Sequence, residues 1–238
     1  MRLLIIGCEY AGKKTLASGI SKWMIEAMGL RLVRWHNHFV VPELDGHLSV
    51  QAEGEQRTVG KTESDLNSAE DEAQILSLRP SVLEQLQRHS VWRHLHPDMF
   101  REDDTLFINH YYAEAVYAPI YYGYGEPGSF ADRRGRARAW DAELLALAPD
   151  TVLVLLRASV ATIQDRMRAS PRIRGILKEA DVGLVLERFE EEYDHSLIER
   201  KFTLDTTRTG AEETLQGFLQ GVWPHLAPID QLRKATRP

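Results

Sequence analysis

Residues 3–15 read LLIIGCEYAGKKT, and this stretch decides how the chain folds. The apolar run at 3–6 is typical of a strand buried on both faces, as in a parallel sheet. A turn bracketed by Gly7 and Gly12 follows the run. Apolar residues then recur at helical spacing up to Gly29, which can end a helix. The opening segment therefore predicts a strand, a glycine-rich loop and a helix.

The loop matches the pattern G-x-x-x-x-G-K, with Gly7, Gly12 and Lys13 at its fixed positions. Glycines let the backbone curl so that its N–H groups face an anion, and the following helix N-terminus adds partial positive charge. The lysine ammonium of such a loop reaches the β- and γ-phosphates of a nucleotide. Because a buried strand precedes the pattern and an amphipathic helix follows it, phosphate binding is favoured over a purely structural turn. The predicted nucleotide-binding residues are Gly7, Cys8, Tyr10, Ala11, Gly12, Lys13, Lys14 and Thr15.

Lys14 departs from this pattern, which has Ser or Thr at that position as a ligand of Mg²⁺. An ammonium cannot ligate a cation, and Thr15 comes one residue too late. Three outcomes are open. Waters, carboxylates and the nucleotide can hold the metal, Lys14 can itself neutralise phosphate charge, or metal-dependent chemistry is impaired. We favour the first, and the metal ligands stay unassigned.

The composition excludes several classes of protein. The chain of 238 residues has a net charge of −6 and a pI of about 5.9, which gives no basic stripe for nucleic acid. Cys8 is the single cysteine, so an internal disulfide is impossible and a reducing compartment is favoured. No apolar run approaches the roughly 20 residues of a membrane span, and no signal-peptide pattern is present. We expect a cytoplasmic protein that binds neither membrane nor nucleic acid.

Extended apolar stretches alternate with amphipathic helical patterns along the rest of the chain. The further strand candidates lie at 30–42, 105–109, 151–156 and 201–207. Residues 45–67 are polar and contain glycine, which is typical of an irregular loop. The alternation predicts a three-layer α/β fold with a central parallel sheet and helices on both faces. We expect one domain over 1–226 and a frayed C-terminal tail over 227–238.

The loop resembles that of the thymidylate-kinase branch of the nucleoside-monophosphate kinases. That branch has a glycine, an acidic residue two positions later, and then G-K-[ST]-T, which correspond here to Gly7, Glu9 and residues 12–15. Segments similar to later parts of the family follow in the same order: LFINHYYAEAVYAP, ELLALAPDTVLVLLRASVATIQDRMRASPRIR and FTLDTT. The resemblance implies a P-loop NTPase fold with a lid at about 168–180. It also implies ATP and Mg²⁺ as cofactors and phosphoryl transfer to a nucleoside monophosphate.

Two departures leave the acceptor open. Asn109 and His110 stand where the family has an Asp-Arg pair near the catalytic centre. The second strand also lacks the family's arginine-proline-glycine signature. A nucleoside or another small metabolite therefore remains an alternative to a nucleoside monophosphate. A nucleotide-binding module with little or no transfer activity is the other alternative, and a homodimer is one option for the assembly.

The residues expected to act in catalysis are Lys13, Glu9, Arg172 and Arg174. Lys13 would stabilise the charge of the transferring phosphoryl group. Glu9 would orient a water, a metal or an acceptor hydroxyl, unless it is a solvated loop carboxylate. Because the loop has no arginine of its own, the lid arginines Arg172 and Arg174 are the favoured source of bidentate phosphate contacts.

The acceptor-binding residues are predicted at the carboxyl ends of strands, where ligands bind in open α/β sheets. They are Asn37, His38, Asn109, His110 and Glu114. An arginine cluster (133, 134, 136, 138) is interpreted as surface charge in preference to an anion site. Six tyrosines between 111 and 124 are assigned equally to base stacking and to the core. The pairs His36 with His38 and His94 with His96 are interpreted as packing or surface residues in preference to metal ligands.

Overall fold

The computed structural model describes residues 1–30, 32–37, 47–51, 56–57, 68–100, 104–172 and 175–235. The strands are β1 (Arg2–Gly7), β2 (Leu32–Asn37), β3 (His47–Gln51), β4 (Gln56–Arg57), β5 (Thr105–Ile108), β6 (Val152–Arg157) and β7 (Lys201–Asp205). The α-helices are α1 (Lys13–Met28), α2 (Ala69–Leu76), α3 (Pro80–His94), α4 (His110–Tyr117), α5 (Arg133–Leu147), α6 (Val160–Ala169), α7 (Val182–His195), α8 (Ala211–Val222) and α9 (Pro228–Ala235). A π-helical turn, Ala118–Tyr122, continues α4.

The strands form one sheet in the order β4-β3-β2-β5-β1-β6-β7. The five strands from β2 to β7 in this order are parallel, and β3 and β4 extend the β2 edge in antiparallel pairing. The prediction of a central parallel sheet is confirmed. The prediction of an irregular loop over 45–67 is wrong at 47–51 and 56–57. An edge ladder is held by backbone hydrogen bonds, so polar residues can form it without an apolar pattern.

The central strands β1 and β6 carry the core. Residues 3–6 and 152–156 are all at most 1% exposed, as their continuous apolar runs predict. Helix α1 packs against α8, whereas α4 packs against α5 and α7. Helices therefore cover both faces of the sheet, which is the expected three-layer architecture. None of the helices in the described part of the chain is long and apolar enough to cross a membrane.

The C-terminal segment differs from the frayed tail that the sequence predicts. Residues 228–235 form α9, and the buried Asp230 accepts a hydrogen bond from the Met1 amino group at 3.2 Å. Arg233 pairs with Asp104, which also binds the Met1 amino group. These ion pairs attach α9 to Met1, which directly precedes β1. Because the partners are far apart in sequence, the local pattern does not reveal them.

Candidate functional site

The glycine loop leaves the carboxyl end of β1 as a tight turn. Gly7 has φ 145°, and a Cβ atom there would lie 2.6 Å from the backbone oxygen of Leu156 in β6. Tyr10 and Gly12 are left-handed, with φ 64° and 94°. Left-handed residues in a loop curl successive backbone N–H groups toward one side. Helix α1 begins immediately after Gly12. The predicted loop and helix N-terminus are thus present as one concave feature.

Lys13 lies inside this turn. Its Nζ donates to the carbonyl oxygens of Gly7 and Cys8, each at 2.6 Å, and the residue is buried. Burial lowers the pKa of the Lys13 ammonium to about 8. The ammonium is therefore in place to meet an anion that enters the loop, although its role in catalysis stays a prediction.

The lid segment after α6 is docked onto the loop through Glu9 and Tyr10. The buried Glu9 carboxylate accepts from the Leu177 backbone N–H at 3.3 Å and pairs with Arg172 at 3.4 Å. The Tyr10 hydroxyl accepts from the Arg172 N–H at 3.0 Å, and the Arg172 guanidinium lies 4.5 Å from the Tyr10 ring centroid. Glu9 is therefore not a solvated carboxylate. Arg174 lies outside the described residues.

Arg166 is a site residue that belongs to the arginine-rich stretch of the predicted lid, where its sequence pattern was interpreted as that of an ordinary helix residue. Its guanidinium donates to the Tyr10 carbonyl at 3.0 Å and to the Thr206 carbonyl at 2.6 Å. The Thr206 hydroxyl in turn donates to the Ala11 carbonyl at 3.1 Å. These bonds join the loop to α6 and to the segment after β7. The helical spacing of Arg166 looks ordinary, and only the FTLDTT segment marked this region.

A cavity of about 360 Å³ opens between these elements. Its lining includes Tyr10, Gly12, Thr15, Arg166, Arg172 and Thr206. A larger groove of about 550 Å³ lies between α3 and α5, away from the loop. We assign the candidate site to the smaller cavity because the loop and two cationic side chains converge there.

The residues present do not fit a magnesium ion held by the protein. Loops of this class hold Mg²⁺ through a loop Ser or Thr and an aspartate. Here Lys14 follows Lys13 on the first turn of α1, where it is exposed, and it cannot ligate a cation. Asn109 stands at the end of β5, where the resemblance expects the aspartate, and its N–H donates to Ile5 of β1. Among the described residues no cluster of three His, Cys, Asp or Glu is placed to hold a metal.

The acceptor-side residues lie at the end of β5 beside the loop strand. Asn109 and His110 are buried and have φ values of 63° and 46°. Non-glycine residues in this region are strained, and such strain is concentrated at functional sites. Asn37 ends β2, the neighbour of β5, and His38 lies outside the described residues. Binding of an acceptor by these residues stays a prediction.

The histidine pairs are arranged differently from the sequence pattern. The buried His36 ring lies 3.8 Å from the His94 ring, centroid to centroid, and His110 is 6.1 Å from His94. The histidines that pair thus come from different elements, β2 and α3. This agrees with the interpretation of these side chains as packing residues.

Glu114 and Arg133, one member of the arginine cluster, form a buried ion-pair network. Arg133 is 1% exposed and pairs with Glu84 at 3.1 Å and with Glu114 at 3.4 Å. The Tyr124 hydroxyl also donates to Glu114. The interpretation of Arg133 as a surface charge is therefore wrong. A role for Glu114 toward an acceptor stays a prediction.

The tyrosines are mainly core residues. Those buried are Tyr111, Tyr112, Tyr117, Tyr122 and Tyr124. The hydroxyls of Tyr111 and Tyr112 donate to the buried Asp141 at 2.6 and 2.7 Å. The Glu9 N–H donates to the Tyr117 hydroxyl at 3.3 Å, which links this core to the loop. Of the two assignments left open for the tyrosines, the structure favours the core.

Comparisons with known proteins identify the fold. No protein-family model matches the sequence, and neither does any curated protein. The YorR protein of Bacillus subtilis, solved in complex with phosphorylated GDP, is similar over 94% of this chain and 99% of its own, with 16% identity and a TM-score of 0.55. Deoxyadenosine kinase from M. mycoides with bound dATP is similar over 93% of this chain and 99% of its own chain, with 15% identity and a TM-score of 0.57. The chain therefore has a P-loop kinase fold, while the thymidylate-kinase branch stays a prediction.

Proposed function

We propose that the chain binds ATP at the glycine loop and transfers its γ-phosphoryl group to a small acceptor. The observation that carries the proposal is the convergence of Arg166 and Arg172 on the cavity that the glycine loop lines, with the Lys13 ammonium held inside the same loop. The fold shared with a deoxyadenosine kinase supports the same class of reaction. Phosphoryl transfer asks for positioning and charge neutralisation more than for covalent chemistry, and these residues supply both.

Each part of the cavity has a role in this proposal. The curled loop N–H groups and the N-terminus of α1 bind the phosphate chain. Lys13 exchanges its two carbonyl acceptors for phosphate oxygens. Arg172 turns from Glu9 to the transferring group, where its planar guanidinium makes bidentate contacts. The docked lid excludes water, so that the acceptor is phosphorylated and ATP hydrolysis is suppressed.

The adenine base is assigned to the outer part of the same cavity. Arg166 and Thr206 line this part, together with Thr209 and Thr214. A guanidinium stacks on an aromatic base, and threonine hydroxyls can hydrogen-bond to its edge. The acceptor is assigned to the strand ends near Asn37 and Asn109. A nucleoside monophosphate, a nucleoside and another small metabolite all remain acceptor classes.

Other expectations stay predictions within this proposal. Mg²⁺ was expected from the resemblance, but the described residues do not fit it and no step is assigned to it. The cytoplasmic location, the homodimer, and the expected lack of binding to nucleic acid and membranes likewise rest on the sequence alone.

A nucleotide-binding module without transfer activity is the second candidate. Two observations favour it. Asn109 replaces an aspartate at the end of β5, and the loop carboxylate Glu9 is already engaged by the lid. In this state neither of these two positions offers a free carboxylate to an acceptor hydroxyl.

Acceptor-dependent ADP formation tests the proposal. We would supply ATP to the protein with nucleoside monophosphates, nucleosides and small alcohols, once with MgCl₂ and once with EDTA. The Lys13→Ala variant removes the loop ammonium, and Lys22→Ala, an exposed lysine on the same helix, is the matched control. We expect ADP formation in the wild type and in Lys22→Ala, and its loss in Lys13→Ala.

The outcomes separate the candidates. ATP binding in calorimetry without ADP formation across the panel would favour the binding module. Lack of ATP binding by the wild type would contradict both candidates.

A further inference from the structure

The residue after Lys13 brings a second ammonium to the phosphate loop. Lys14 lies exposed on the first turn of α1, next to the buried Lys13. Besides burial, which is the main cause of the lowered pKa of Lys13, the charges of Arg172 and Lys14 both act to lower it. Lys14 directly follows Lys13 on α1, and the charges of Lys14 and Arg172 each disfavour the Lys13 ammonium. An arrangement of this kind is stabilised by a polyanion in the loop.

The two positions at which the resemblance places a hydroxyl and a carboxylate have side chains that attract a divalent cation less strongly. Position 14 carries an ammonium in place of a hydroxyl, and the end of β5 carries the amide of Asn109 in place of a carboxylate. A divalent cation beside Lys14 would be repelled by its charge. The role of Mg²⁺ in related loops is to bridge phosphate oxygens and neutralise their charge. Lysine and arginine cations can supply that neutralisation directly.

We propose that this loop binds the nucleotide as a metal-free polyphosphate, with the Lys14 ammonium in the position of the magnesium ion. The inference rests on the proposed function, since it concerns the same loop and the same nucleotide. The preferred ligand is a nucleoside di- or triphosphate without a divalent cation. Mg²⁺ weakens binding because the complexed nucleotide brings its metal against Lys14.

Calorimetric titration of ATP tests this preference. The wild type is titrated in EDTA and in saturating MgCl₂, with the ionic strength matched because salt screens exposed charges. We expect the wild type to bind ATP about tenfold more tightly in EDTA than in MgCl₂. In Lys14→Thr, which restores a hydroxyl, we expect the preference to reverse, with tighter binding in MgCl₂.

The control variant is Lys22→Thr, which removes the same charge from an exposed position of α1 that lies beyond the loop. It should keep the wild-type preference for EDTA, and circular dichroism should give all three proteins the same helix content. Tighter binding of ATP by the wild type in MgCl₂ would overturn the inference. An identical ratio of the two affinities in wild type and Lys14→Thr would also overturn it. No binding in either buffer would overturn the proposed function itself.

Discussion

Gly7 is the residue at which the loop geometry is most constrained. Its φ of 145° and the 2.6 Å approach to the Leu156 oxygen leave no room for a side chain. We expect Gly7→Ala to lower the free energy of unfolding by about 2–4 kcal/mol, because it adds backbone strain and a steric clash. Urea denaturation measures the change.

The matched control is Gly210→Ala at the start of α8. Gly210 has φ −75°, and a Cβ there would meet no atom within 4 Å. This variant should change the stability by less than about 1 kcal/mol. Equal losses in the two variants would contradict the steric explanation for Gly7.

Lys13 gives the site a dependence on pH. Its pKa is lowered to about 8 by burial, so the ammonium is present below that pH and is lost above it. Phosphate raises the pKa again, and binding therefore takes up a proton at alkaline pH. We expect the ATP affinity to fall by up to about tenfold for each pH unit above 8. Calorimetry in buffers of different ionisation enthalpy should detect the proton uptake, and Lys13→Met should abolish it. A constant affinity from pH 7 to 9.5 would refute this assignment.

At the scale of elements, the lid depends on the loop carboxylate. Glu9 binds the Leu177 N–H and the Arg172 guanidinium across 168 and 163 residues of sequence. We expect Glu9→Ala to speed hydrogen exchange of the Leu177 amide by about tenfold, because the variant loses the net stabilisation of one hydrogen bond. Exchange followed by NMR measures this rate. Glu26→Ala, at an exposed ion pair of α1, should leave it unchanged. Unaltered exchange in Glu9→Ala would mean that other contacts hold the lid.

The strands differ in how well they can be predicted from their sequences. Strands β1 and β6 are continuous apolar runs, and their burial between two helical layers follows from that pattern. The edge strands β3 and β4 have no such pattern, because backbone pairing with β2 suffices. The contacts of Arg166 with Tyr10 and Thr206 depend on which strand ends meet, and local spacing cannot show that. The loop was therefore predictable, whereas its surroundings were not.

At the scale of the whole molecule, one buried arginine joins three helices. Arg133 of α5 binds Glu84 of α3 and Glu114 of α4, which are 49 and 19 residues away. In the sequence it is one member of an arginine-rich run, and such runs are usually solvated. Its partners become visible only when the helices pack together. Through Glu114, this network also holds α4, the helix that begins at the strained His110.

Removing Arg133 should therefore destabilise the whole domain. We expect Arg133→Met to lower the free energy of unfolding by about 3–5 kcal/mol. The buried Glu114 loses the cation of Arg133, and Glu84 keeps only its ion pair with the half-exposed Arg88. Arg136→Met, an exposed position on the same helix, should change it by no more than about 0.5 kcal/mol. Adding Glu84→Gln and Glu114→Gln to Arg133→Met removes both buried charges and should recover part of the loss. Urea denaturation of the wild type, the two single variants and the triple variant measures these free energies of unfolding. If the triple variant is no more stable than Arg133→Met, uncompensated charge is not the cause, and the loss comes from packing around the arginine side chain.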